Sequence, residues 1–188
     1  MQKVNVVVFD GFESLDVFGP VGVFGGFAEE YEIKYYSLEG GIVTSAQNAE
    51  LQTLPFSVME QGILLVPGGR GTRELVKDRF FIKKLRELAT EATYVISVCT
   101  GAALLAKAGI LKGKKATSNQ RAFDWVQQQD PEVDWVKDVR WISEDTLYTS
   151  AGITTGIDMA LGFICDCHGK EKAQEIAQNM EYRWEEAE

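Results

Sequence analysis

The 188-residue sequence predicts an α/β fold on a mostly parallel sheet covered by helices on both faces, and three observations carry that prediction. Short apolar runs alternate with helix-period stretches along the whole chain. Val4–Phe9, Ile63–Val66 and Tyr94–Val98 are apolar runs rich in β-branched residues, the pattern of strands buried on both sides. Strand-like segments also run through glycine-containing turns directly into helix-like ones, at Pro67-Gly68-Gly69, Cys99-Thr100-Gly101 and Ala151-Gly152-Ile153.

Taken in order, Val4–Phe9 is a buried strand. Ser14 to about Phe27 follows as a helix, with Ser14 as its N-cap and Pro20 kinking or dividing it. Tyr31–Leu38 alternates and reads as a second strand. Ile42–Leu54, rich in Thr, Ala and Asn, reads as a hairpin or edge excursion. Ile63–Val66 is a short buried strand. Thr72–Thr90 carries one or two helices with Leu75, Val76, Phe80, Phe81, Ile82, Leu85 and Leu88 as apolar positions. Tyr94–Val98 is a central strand, and Ala102–Ala108 a helix closed by Gly109. Ala122–Gln128 is a short helix, Val136–Trp141 and Thr146–Ser150 are strands, and Thr155–Cys167 is a strongly apolar helix. Glu171–Trp184 is an amphipathic last helix with a charged tail.

The length fits one domain over 1–188 and suffices to bury roughly 70% of the surface the unfolded chain exposes. The net charge of −9 argues against nucleic-acid and anionic-membrane partners. Three cysteines, Cys99, Cys165 and Cys167, suggest neither a disulfide framework nor a metal site, and point to a reducing, cytoplasmic setting. The chain opens directly on a strand without a signal-peptide pattern, and no apolar run reaches membrane-span length.

The chemistry concentrates in four segments. In Tyr94–Ala103 a buried strand meets a small-residue helix with Cys99 at the turn, a nucleophile-elbow layout with sulfur in place of oxygen. The helix N-terminus favours negative charge there and predicts a lowered thiol pKa. The alternative is a buried, inert cysteine. Val66–Thr72 is neither a Walker loop nor a dinucleotide fingerprint; its free N–H groups suit either an oxyanion hole beside Cys99 or a tight connector. Glu13–Pro20 places Asp16 just after the first strand, where it serves as a general acid/base or simply caps a helix. Ser150–Asp158 brings Gly152 and Ile153 toward the same cleft, with Thr154 or Thr155 as N-cap. His168 ends a helix and reads as a favourable partner for its dipole. Cys165 and Cys167 point to different faces and read as packing residues, and Trp125, Trp135, Trp141 and Trp184 as core or interface anchors.

Phe9-Asp10-Gly11-Phe12 with Asp16–Pro20, Pro67-Gly68-Gly69, Val98–Ala102 and Ala151–Asp158, in this order, resemble the DJ-1/PfpI superfamily of the class I glutamine amidotransferase-like fold, and most of all its isonitrile hydratase branch. That branch shares its domain with the amidase-like half of some AraC-type regulators, and no DNA-binding half is expected after Glu188. The resemblance implies a flavodoxin-like three-layer sandwich, usually a homodimer. It also implies Cys99 as nucleophile, Asp16 as its carboxyl partner, and a pocket lined by Gly68, Gly69, Thr100, Gly152 and Ile153, with no cofactor and no metal. One departure is informative. Relatives often carry a histidine in the stretch matching Ala116–Gln120, where this chain has Asn119, and peptidase-like members carry one where Thr100 stands. The expected activity is therefore cysteine-dependent hydration of a small isonitrile to an N-formamide, not peptide hydrolysis. A glyoxalase- or deglycase-like enzyme on small carbonyls, and a non-enzymatic redox sensor or chaperone-like protein using Cys99, are the alternatives.

Overall fold

The computed structural model describes residues 1–185; the end of the expected charged tail, residues 186–188, lies outside them. The chain runs β1 (Gln2–Val7), α1 (Ser14–Gly25), β2 (Tyr31–Ser37), β3 (Glu39–Thr44), β4 (Glu50–Pro55), β5 (Ile63–Val66), α2 (Thr72–Leu75) and α3 (Arg79–Glu91). It continues with β6 (Tyr94–Val98), α4 (Gly101–Lys107), β7 (Lys115–Ala116), α5 (Phe123–Gln127), β8 (Asp134–Trp135), β9 (Trp141–Glu144), β10 (Leu147–Ser150), α6 (Thr155–His168) and α7 (Lys170–Asn179). Eight strands form one sheet in the order β3-β4-β2-β1-β5-β6-β10-β9, with β7 and β8 a small separate pair. All neighbours in the large sheet are parallel except β3–β4 and β10–β9, so the antiparallel strands sit at the two edges. Helices α1, α6 and α7 pack together as one layer and α2, α3, α4 and α5 as the other, giving the expected flavodoxin-like three-layer sandwich.

The apolar runs explain the core. Val4, Val6, Ile63, Leu65, Ile96 and Val98 are fully buried, and parallel register sets Val4 between Ile33 and Ile63. Strands lying beneath helices on both sides cannot alternate, which is why these segments read clearly.

Several expectations need correction. Glu13, not Ser14, occupies the N-cap of α1, and no side chain caps the helix; the Ser14 N–H instead donates to Gln47 Oε1 at 3.0 Å. Pro20 does not divide α1, which runs unbroken to Gly25. Residues 136–140 are loop, and the strand begins only at Trp141, because β9 must pair with β10 through a turn at Asp145, whose φ is +55°. The last helix stops at Asn179. Beyond it Glu181 turns with φ +50°, and the chain folds back so that Trp184 Nε1 donates to the Asp158 backbone carbonyl at 3.2 Å and Tyr182 Oη to the buried Asp158 carboxylate at 3.1 Å. The same carboxylate pairs with Arg140. The aromatic residues that resemble a helical stripe are therefore the anchors of a returning segment. Cys167 is exposed, not packed, at the end of α6.

Candidate active site

The site assembles at the C-terminal edge of the sheet, where β1 and β5 send the chain in opposite directions and their connections are joined by the Phe12–Gly69 bridge. β6 ends at Val98, α4 begins at Gly101, and Cys99 stands in the turn with φ +58°. A left-handed backbone is uncommon for a residue with a side chain and marks a position held by its surroundings. Three contacts hold it. The Cys99 N–H donates to the Ser150 carbonyl of β10 at 3.0 Å, and the buried Ser118 hydroxyl donates to the Cys99 carbonyl at 2.6 Å. Gly152, at φ +77°, passes so close that a Cβ there would lie 2.5 Å from the Cys99 Cβ.

Asp16 arrives from the first turn of α1. Its side chain is fully buried, Oδ2 accepts the Gly68 N–H at 2.9 Å, and the carboxyl group and the Cys99 thiol are close enough that each shifts the other's titration. Oδ1 has no hydrogen-bond partner among the described residues. Gly68 makes this approach possible: a Cβ there would lie 2.5 Å from the Thr100 nitrogen and 2.9 Å from Asp16 Oδ2.

The electrostatics reverse one expectation. Burial pushes the Asp16 carboxyl up to about 7, against the Gly68 N–H, which favours its charged form. Burial, followed by the charge of Asp16, pushes the Cys99 thiol up to about 12, although the Thr100 backbone and side chain favour the thiolate. The thiol is thus not held ionised by the α4 terminus. Desolvation and a neighbouring carboxylate outweigh the pull of a seven-residue helix. Around neutrality the buried pair therefore retains a proton in preference to carrying two charges.

The remaining expected residues fall around the same point, with their polar groups differently used. The Gly69 N–H donates to Thr100 Oγ1 at 3.1 Å, and the Gly68 N–H is taken by Asp16, so both are engaged within the protein. Thr72 reinforces the Thr100 hydroxyl at 3.1 Å. The Gly152 N–H donates to Thr155 Oγ1 at 2.5 Å, while Ile153 stands 39% exposed at the opening. Asn119 accepts the Ala122 N–H and so caps a turn instead of serving a dyad. His168 lies at the opposite edge of the sheet, its Nε2 2.6 Å from Tyr31 Oη at the start of β2. Sequence reasoning missed Ser118 and Thr72. Ser118 sits in a stretch that draws attention only for a missing histidine, and no local pattern links Thr72 to Thr100.

A cysteine in a left-handed strand-to-helix turn, with a buried carboxyl from the first helix beside it, is set on a flavodoxin-like sandwich. A model described as the DJ-1/PfpI family matches residues 2–165, and the chain belongs to that family. It is 30% identical over 184 residues to an isonitrile hydratase of Pseudomonas putida, covering 96% of this chain and 78% of that protein. It is 28% identical over 149 residues to a deglycase of Thermococcus kodakarensis, covering 76% of this chain and 89% of that one. Among solved structures, a ThiJ/PfpI family protein from Pseudomonas syringae superposes with a TM-score of 0.88 at 26% identity, over 98% of this chain and 76% of its own.

Proposed function

We propose that the protein hydrates a small isonitrile to the corresponding N-formamide in the cytoplasm, with Cys99 as nucleophile and Asp16 as its proton relay. The observation that carries this reading is the isolated pair: a thiol and a carboxyl raised to about 7, with the chain's one histidine at the far edge of the sheet. A group titrating near neutrality is suited both to accept and to return a proton at that pH.

In the first half-reaction Cys99 Sγ bonds to the terminal isonitrile carbon while Asp16 takes the thiol proton and delivers it to the same carbon. The product is an enzyme-bound thioimidate. In the second, Asp16 removes a proton from water as its oxygen adds to that carbon. The nitrogen gains a proton, the C–S bond breaks, and the formamide leaves as the thiol is restored. The net change is addition of one water. Thr100 steadies the developing negative charge on sulfur.

The exposed residues Leu15 and Phe18 of α1, together with Ile153 at the mouth, form the basis for a second inference: a second copy of the chain covers this rim.

Formamide release from an alkyl isonitrile tests the reaction. Wild type turns over, Cys99→Ala loses at least ~10³-fold, and Asp16→Asn loses roughly 10²–10⁴-fold. Lactate release from methylglyoxal without formamide production from several isonitriles overturns the reading in favour of carbonyl chemistry.

A further inference from the structure

A second concavity lies away from Cys99. A groove of about 440 Å³ runs between the β3–β4 end of the sheet and α3, lined by Leu38, Phe56, Met59, Phe80, Leu88 and Glu91 among others. That volume is in the range of small-molecule sites. Its lining is mixed, with Leu38, Pro55, Phe56, Met59 and Leu88 supplying the apolar part. Its rim is acidic: Glu87 is paired with Lys84 at 2.9 Å, but Glu39 and Glu91 have no cationic partner among the described residues. Phe80 stands 55% exposed on the first turn of α3.

The groove adjoins a smaller cavity of about 20 Å³, and the two share Met59, Leu88 and Glu91. Asn5 of β1 lines the smaller one. Its side chain is only 2% exposed and its Nδ2 donates to the Glu60 carbonyl at 2.6 Å, yet its Oδ1 is buried without a hydrogen-bond partner among the described residues. A buried orphan acceptor is costly and calls for a donor. The smaller cavity lies at the C-terminal end of α3, whose last turn carries no basic residue and whose dipole favours a cation, while the groove runs along the helix from Phe80 in its first turn to Glu91 in its last.

We propose that this site binds a small organic ammonium with an apolar body. Its N–H groups donate to Asn5 Oδ1 and to the Glu91 carboxylate, and its hydrocarbon or aromatic portion lies over Phe56, Met59 and Leu88 with Phe80 at the rim. Three features select this class over others. The orphan atom accepts and does not donate, the unpaired charges are negative, and the larger cavity's lining includes the apolar side chains of Phe56, Met59 and Leu88. An anion meets repulsion at Glu39 and Glu91, and a neutral hydrocarbon leaves Asn5 unsatisfied. The site is separate from the Cys99 chemistry and does not depend on it.

The test uses the full-length protein with 2-phenylethylammonium as probe and 3-phenylpropionate and 2-phenylethanol as controls, followed by amide NMR. The expected result is saturable binding of the ammonium in roughly the millimolar range. Shifts should be confined to the Asn5 side-chain amide, Leu88, Glu91 and their neighbours, with weaker binding of both controls. Glu91→Gln, on the exposed end of α3, should weaken the ammonium roughly ten-fold without altering isonitrile turnover or the melting temperature. Asn5→Leu supplies a second arm at the buried acceptor, read only where its NMR spectrum remains folded, and should weaken the ammonium in the same way. Equal binding of the carboxylate probe, no saturable shift, or unchanged affinity in Glu91→Gln overturns the proposal. So does persistence of a single slowly exchanging water on Asn5 at probe saturation, which identifies that cavity as a hydration site only.

Discussion

At the scale of single residues, the site's behaviour is set by desolvation of two acids that touch. Asp16 has lost its water and keeps one N–H donor from Gly68, so its protonated form is favoured up to about pH 7. The consequence for stability has a definite sign. A carboxyl raised in the folded state binds its proton more tightly there than in the unfolded chain. Its contribution is therefore fully present below about pH 4 and is lost as pH rises through about 7. The shift corresponds to an upper bound of about 4 kcal/mol. Asp16→Asn should then be more stable than wild type at pH 8 and lose that advantage near pH 4, as thermal melts across that range will read. An advantage of the same size at both ends would mean that the carboxyl is not titrating there.

The chemistry of these residues was only partly legible in the sequence. Cys99 and Asp16 stand in short motifs at strand-to-helix junctions, and such junctions carry their own signal. The thiol's ionisation did not, because it depends on burial by segments far apart in the chain: Asp16, Cys99, and the Gly152 turn that closes over it. The hydroxyl of Ser118, which fixes the Cys99 carbonyl, is equally non-local.

At the scale of elements, two strand–turn–helix units sit against each other, β6–α4 and β10–α6, and their contact lies between Gly152 and Cys99. Gly152→Ala places a methyl where 2.5 Å separates it from the Cys99 Cβ, in a backbone that already has φ +77°. The turns must then move apart. We expect a loss of roughly 1–3 kcal/mol in stability, read by denaturant unfolding, together with loss of turnover. Elements with both faces buried were the easiest to read, and Ile63–Val66 and Tyr94–Val98 have the bounds their sequences suggest. Edge structure was harder. The loop over 136–140 shares the apolar and aromatic character of a strand, but β9 takes its register from pairing with β10. Tyr182 and Trp184 mimic a helical stripe while serving Asp158.

At the scale of the whole molecule, Leu15, Phe18 and Ile153 are exposed apolar side chains, and the proposed second copy covers them as one rim. A homodimer over that rim predicts twice the 20.9 kDa chain mass by light scattering, and conversion toward monomer in a Leu15→Glu, Phe18→Glu double variant. A monomeric wild type at micromolar concentration contradicts it.

The place of one proton before the reaction decides how the pair works. Thiolate ultraviolet absorbance, taken as the difference between wild type and Cys99→Ser across pH, reads it directly. The account predicts no Cys99 thiolate below about pH 9, and a lower titration in Asp16→Asn, where the carboxylate's charge is removed. A wild-type thiolate already formed at pH 6 to 7 would contradict it.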